Sequence, residues 1–280
     1  MMCAKVAIDK GTSPWTGTFL GNLWLAIIWF AIAAWRGEVV AVEAWGQAAV
    51  VGLLFVLGQV FTYLAFQFGD VSVATPIFSV KVLMVAGLSS FTSGTPVPGH
   101  VWFAGCLATC GVILIQWSDK SSSPAAKKNS RTLLTVSLAL TAAFCLSLFD
   151  VCLQKWGPEW NSFSFLPIMF GAALLLSFFF LPFVDRPEAI RKTGGMRWIV
   201  AGTMLMAMQA MSMCFSLAHF GDAPRINIVY SLRGLWGVLF AWMMAKRLQS
   251  GEVGLPRATM IRRLIGAVLL LVAVIRVILN

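Results

Sequence analysis

Two cations lie deep inside apolar sequence. Lys81 sits about halfway along a run with no acidic residue between Asp70 and Asp119, within FGDVSVATPIFSVKVLMVAG (Phe68–Gly87). The chain then writes a second version, FGDAPRINIVYSLRGLWGVLF (Phe220–Phe240). The shift that takes Phe68 to Phe220 also takes Gly69 to Gly221, Asp70 to Asp222, Ser79 to Ser231 and Lys81 to Arg233. Counted from the Gly-Asp turn, each cation lies roughly 15 Å along a helix, near the centre of a ~30 Å hydrocarbon slab. A cation there costs ~2.5–3.5 kcal/mol on insertion scales, and the surfaces are too far for snorkelling. All 11 acidic residues fall in loops or near the ends of apolar runs, with Asp150 alone a few residues inside. The expectation is that Lys81 and Arg233 face a hydrated cavity and hold an anion, carboxylate or phosphate. The alternative is that backbone carbonyls, Asp150 or glutamines neutralise them.

The neighbours fit a site. At helical i±3 and i±4 spacing, Phe78 flanks Lys81, while Tyr230, Trp236 and Gly237 flank Arg233. Aromatic faces hold cations or stack on planar ligands. Pro76, five residues before Lys81, is expected to break the local hydrogen-bond ladder, as in the interrupted helices found beside some membrane binding sites. Asn227 stands where the first copy has Thr75, and Gln59, Tyr63, Gln209, Ser212 and His219 add polar groups before each turn. The expected substrate-binding set is Lys81, Arg233, Phe78, Tyr230, Trp236, Asn227, Gln59 and Tyr63. Interhelical hydrogen bonding is the competing role for each polar member. His219, beside the turn, is a candidate for proton coupling.

Asp70 and Asp222 have a structural reading and a catalytic one. Gly ends one helix in the left-handed conformation and Asp caps the next. The other reading pairs the two aspartates for intramembrane proteolysis or a proton relay, which needs them face to face rather than at helix ends. Capping is the expectation. No HExxH, GxSxG or GxxxxGK[ST] occurs, and the six Cys form no CxxC pair and fall mostly in apolar blocks. No catalytic residue, metal site or cofactor is expected, and the protein is not expected to be an enzyme.

The elements that must position these residues are set by composition. The 280 residues are 59% hydrophobic and 11% charged, with mean hydropathy +0.84, against about 25% charged in ordinary soluble chains. Apolar blocks of about 20 residues match the length of a membrane-crossing helix. The fold class is all-α, a polytopic membrane protein of the cell (inner or plasma) membrane. Nine full spans are expected: Thr16–Trp35, Ala44–Phe68, Val71–Phe91, Gly99–Ser118, Thr132–Leu153, Trp160–Val184, Met196–Phe220, Ala223–Ala245 and Met260–Leu279. Tryptophans such as Trp15, Trp35, Trp45, Trp102 and Trp160 lie near the ends, as interfacial belts require.

The net charge of +10 sits mainly in gaps between blocks and implies a membrane face rather than nucleic acid. Basic residues cluster at every second connection: Lys120, Lys127, Lys128 and Arg131; then Arg186, Arg191, Lys192 and Arg197; then Lys246, Arg247, Arg257, Arg262 and Arg263. That alternation places all three clusters on the cytoplasmic face and the C-terminus outside. The polar linker Ser118–Arg131 divides the chain. VAIDKGTSPWTGTFL (Val6–Leu20) parallels VCLQKWGPEWNSFSF (Val151–Phe165), and the shorter shift of that pair puts extra residues into the second copy, in Asp185–Gly195. The repeat unit is therefore five helices, the first copy lacking most of its first. The expected organisation is a first repeat over 1–118, a linker over 119–131 and a second repeat over 132–280. An odd number of helices makes the copies inverted, as in many transporters.

Paired five-helix halves, the turn FGDVSVATPIFSV with its second copy FGDAPRINIVYSL, and the closing helix RRLIGAVLLLVAVI (Arg262–Ile275) resemble the drug/metabolite transporter superfamily, in particular EamA-type members. The resemblance covers nearly the whole chain. It implies a ten-helix design with a central cavity lined by the third, fourth, eighth and ninth helices, departing here in the truncated first helix and the external C-terminus. The function this implies is secondary transport of a small organic anion by alternating access, with lipid bilayer and small-molecule substrate as partners. Association as a homodimer is compatible with such a design. An amino-acid or neutral metabolite or drug exporter is the nearest alternative, and an intramembrane enzyme using Asp70 and Asp222 the remote one.

Overall fold

The structure is a computed structural model that describes residues 10–37, 42–68, 77–92, 96–116, 128–233, 235–236 and 257–279. Asp70, Thr75, Pro76, Gly237 and residues 119–127 of the linker lie outside them. The described residues are helical, without a strand. The helices are α1 (Pro14–Arg36), α2 (Ala44–Phe68), α3 (Lys81–Thr92), α4 (Gly99–Gln116), α5 (Lys128–Trp156), α6 (Ser162–Ser177, continued by a 3-10 turn Phe178–Phe183), α7 (Pro187–Lys192), α8 (Met196–Phe220), α9 (Ala223–Tyr230) and α10 (Arg257–Ile278). Each of the nine expected spans thus meets a helix. Among the described residues, five helices are long and apolar enough to cross a membrane, and α3 and α4 form shorter apolar helices.

Local chemistry sets the ends. Ser13 caps α1 by accepting from the Trp15 backbone N–H, Pro14 supplies the fixed φ of a first turn, and Gly37 ends the helix at φ 65°. A loop residue reinforces the start of α1. Asp185 accepts from the Ser13 N–H at 2.5 Å and the Thr16 hydroxyl at 3.0 Å, and its own N–H donates to Thr16 at 2.9 Å. Asp185, between the 3-10 turn and α7, therefore holds down the start of α1.

The chain forms two compact units, one of residues 1–59 and 152–221, the other of 60–151 and 222–280. Each combines segments from both sides of the linker. In the first unit α1 packs on α6 and α8. Trp29, 1% exposed, sits among the rings of Phe163 and Phe215. In the second, α4 and α10 cross closely. A Cβ on Gly111 would lie 2.8 Å from the Gly266 carbonyl oxygen, and one on Gly266 2.6 Å from that of Gly111. Small residues at a crossing let backbones approach, which in lipid supplies the packing that water-driven burial cannot. Ala104, Ala108, Leu270 and Ala273 continue that seam. Against it lie α3 and α9, the segments that carry Lys81 and lead to Arg233.

Candidate functional site

Both cation-bearing segments are broken at the same place in the repeat. Residues 77–78 are helical, Ser79 and Val80 form a turn, and α3 restarts at Lys81. In the second copy α9 ends at Tyr230, Ser231 and Leu232 form a turn, and helical backbone resumes at Arg233. The bonds are those of tightened turns, Val80 N–H to the Ile77 carbonyl at 3.0 Å and Leu232 N–H to that of Val229 at 3.1 Å. Around the first break, neighbouring helices supply donors. Thr109 of α4 donates to the Ser79 carbonyl and Ser147 of α5 to that of Lys81, each at 3.4 Å. Lys81 is thus the first residue of α3 and Arg233 follows the turn after α9, while i→i−4 bonds persist at both turns, Met84 N–H to the Val80 carbonyl and Ser231 N–H to that of Asn227, each at 3.0 Å. The sequence reading of Lys81 as a mid-helix residue is corrected accordingly.

Lys81 is not without a counter-ion. Its ammonium lies 2.7 Å from Asp150 Oδ2, with Lys81 18% exposed and Asp150 fully buried. Asn227, 3% exposed, donates to the same oxygen at 2.7 Å and to the Ala223 carbonyl at 3.0 Å. The other carboxylate oxygen, Oδ1, is buried with no hydrogen-bond partner. The expectation that Lys81 keeps its charge unneutralised is therefore overturned, and the alternative that named Asp150 holds. The physical reason is cost, since an unpaired charge in a low-dielectric site is far more expensive than a hydrogen-bonded pair. Asn227 belongs to this triad.

Arg233 differs. It is exposed, its guanidinium carbon 4.3 Å above the Tyr230 ring centroid and its Nη1 donating to the Tyr230 hydroxyl at 2.7 Å. Among the described residues no carboxylate lies within ion-pair distance of it. The expected aromatic flank is present in Tyr230, and Trp236, three residues or about five-sixths of a turn beyond Arg233, is exposed. Six residues of helical rise separate Asn227 from Arg233, about 9 Å, so α9 and its continuation carry both the neutralised centre and the open cation.

The remaining predicted residues divide. Phe78, with Ile77 and Leu138, packs on buried Ala65 and Ala139, so it shapes the wall behind the first break. Tyr63 is half-buried in the same unit. Gln59, in the first unit, exchanges two amide hydrogen bonds with Asn22, at 3.0 and 3.1 Å. Asn22, fully buried, also donates to Ser177 at 2.7 Å. Gln59's amide is thus engaged between α1 and α2, the interhelical role weighed for it. His219 is exposed and stacks on Phe215 at 5.3 Å. Asp222 caps α9 through the Arg225 N–H at 3.1 Å, after Gly221 at φ 64°. That is the turn-and-cap reading, and it leaves Asp222 at a helix end. A hollow of about 310 Å³ in the first unit is lined by Lys10, Arg191, Gly194, Met196 and Arg197, none of them in the predicted set. No metal-holding cluster occurs among the described residues.

Comparison with known proteins agrees with this architecture. Residues 1–117 match the family model of the EamA-like transporter family. No curated protein sequence matches the chain closely enough to count as a relative. A solved chain described only as the crystal structure of a protein superposes with a TM-score of 0.71, covering 98% of this chain and 92% of its own length. At 13% identity that similarity is one of fold.

Proposed function

We propose that this chain, whose residues 1–117 match the model of the EamA-like transporter family, carries a small organic anion bearing a carboxylate or phosphate across its membrane by alternating access. The family match indicates a membrane transporter of the drug/metabolite type. The finer reading draws its main support from the repeat-related turns that put Lys81 at the start of α3 and Arg233 just after α9. Arg233, open and stacked on Tyr230, is the first anchor, its planar fork matching two oxygens of one anionic group. Lys81 supplies a second cation once Asp150 lets go of it. Phe78, Tyr230 and Trp236 shape the apolar surround.

A second reading draws on the Lys81–Asp150 pair itself. A neutral ion pair can be exchanged for a zwitterion, amino group to Asp150 and carboxylate to a cation, which suits an amino acid. Counterflow in proteoliposomes with lactate, succinate, 3-phosphoglycerate and alanine, each beside its methyl ester or amide where one exists, separates the two. The anion reading expects lactate, succinate or 3-phosphoglycerate to exchange and the neutral derivatives to fail. Exchange of alanine alone overturns it in favour of the zwitterion.

A further inference from the structure

Apart from Lys81 and Arg233, positive charge gathers in the first unit, around the hollow of about 310 Å³ lined by Lys10, Arg191 and Arg197. Two helices of membrane-crossing length begin there. α1 starts at Pro14, soon after Lys10, and α8 starts at Met196, itself in the lining. The hollow therefore lies where apolar spans end, at the depth of lipid headgroups. Trp198 marks that level, with the Arg197 guanidinium 5.5 Å from its ring centroid. The turn between α7 and α8 is built to receive the segment before α1. Gly194 takes φ 65°, and its carbonyl accepts from the Lys10 ammonium at 3.3 Å. Gly195 is buried, and a Cβ on it would lie 3.0 Å from the Thr12 hydroxyl oxygen. Thr12 is 3% exposed, and that hydroxyl has no hydrogen-bond partner. A buried donor left unpaired is rare and costly. Gly195 also opens α8 without a side-chain cap, so the positive end of the helix dipole adds to the three cations.

We infer that this hollow binds the phosphate group of an anionic phosphate ester at the cytoplasmic surface, with Lys10, Arg191 and Arg197 as counter-ions and the Thr12 hydroxyl as a neutral donor. The acids nearby do not cancel the charge. Asp185 turns its Oδ2 to Ser13 and Thr16, and Glu188 on α7 is exposed. Among the described residues no carboxylate lies within ion-pair distance of Lys10, Arg191 or Arg197, while Arg186 and Lys192 add exposed positive charge to the same segment. The cations come from three places, the stretch before α1, the end of α7 and the first turn of α8. A tetrahedral phosphate offers oxygens in several directions to such a set, and guanidinium forks pair with two of them at once. Basic clusters beside spans mark the cytoplasmic side, where basic pockets between helix ends hold phospholipid headgroups. An anionic phospholipid and a free phosphate ester present the same group to these residues. Bound there, it ties the start of α1 to the α7–α8 turn. The site uses none of the residues assigned to the transported anion and does not depend on that assignment.

Native mass spectrometry of the full chain released from detergent micelles counts the lipid it retains. The wild type is expected to keep dioleoyl phosphatidic acid in preference to dioleoyl phosphatidylcholine, whose choline cancels the phosphate charge. Arg191→Gln with Arg197→Gln removes two exposed cations and should weaken retention of phosphatidic acid about thirtyfold, as two basic residues at an anionic membrane surface would. Thr12→Val should weaken it about fivefold, the worth of one neutral hydrogen bond, with the melting temperature unchanged or raised because no unpaired hydroxyl remains. Glycerol 3-phosphate separates the two sources. Displacement of the lipid by it shows that the phosphate alone is recognised and that a free ester takes the site; retention in its presence makes the phospholipid the ligand, and both results support the inference. Equal retention of phosphatidylcholine by the wild type overturns it without any variant. Undiminished retention of phosphatidic acid in the double arginine variant overturns it, as does undiminished retention in a Thr12→Val protein.

Discussion

Removing one side of the Lys81–Asp150 pair should cost more than removing both. Lys81→Met leaves a carboxylate with no exposed surface, held by the Asn227 amide alone. Breaking a buried pair in this way costs about 3–5 kcal/mol. Asp150→Asn leaves an ammonium on a side chain that is 18% exposed and can reach water, so the loss is nearer that of a charged hydrogen bond, about 1.5–3 kcal/mol. The double variant Lys81→Met with Asp150→Asn carries no stranded charge and should lose only about 1–2 kcal/mol, the worth of an ordinary hydrogen bond or two. The single losses together therefore exceed the double by roughly 2.5–7 kcal/mol, above the ~0.5–3 kcal/mol of ordinary contacting residues and in the ~1.5–7 kcal/mol range of close charge pairs. Equilibrium unfolding in mixed micelles measures all three. Additive single losses would show that Lys81 and Asp150 are not partners, and a Lys81 loss smaller than the Asp150 loss would refute the burial asymmetry.

Three further outcomes follow from the packing. Gly111→Leu or Gly266→Leu drives a side chain into backbone at under 3 Å, so either should lower stability by about 1–3 kcal/mol or more, read as loss of monodisperse protein on size exclusion. Asp185→Ala removes the acceptor from the Ser13 N–H and the Thr16 hydroxyl. A loss of about 1–2 kcal/mol, the worth of a cap, is expected in the same unfolding assay, with Asp185→Asn recovering part of it. Tyr230→Phe keeps the ring under Arg233 but removes a 2.7 Å hydrogen bond. On an exposed guanidinium that is worth about 0.5–1 kcal/mol, so KM for the transported anion should rise a few-fold, and Tyr230→Ala should raise it further.

What the sequence made legible was whatever depends on near neighbours. Ala44–Phe68 and Met196–Phe220 are found where the apolar blocks end, because polar and glycine residues bound those blocks. The cap at Asp222 was equally readable, since Gly221 and Arg225 complete it within four residues. The partner of Lys81 was harder. Asp150 stood out as the one acid inside an apolar block, yet hydropathy does not say which helix face meets which. The hydrogen bonding of Gln59 was hidden for the same reason, its partner Asn22 lying on another helix. The breaks before Lys81 and Arg233 left a fainter trace. Ser79 and Ser231 were marked by the repeat, but serine and its apolar neighbours do not break helices by themselves. Thr109 and Ser147 bond the carbonyls at the first break from other helices. The compact units draw on segments from both sides of the linker, a pairing that order along the chain does not reveal.

Anion counterflow in proteoliposomes with wild type and Arg233→Ala is the most direct test of the central claim. The wild type should exchange a carboxylate- or phosphate-bearing anion from the panel and ignore its neutral derivative, and Arg233→Ala, correctly inserted, should abolish that exchange. Undiminished exchange in Arg233→Ala, or a wild type that moves only the neutral derivatives, would contradict it.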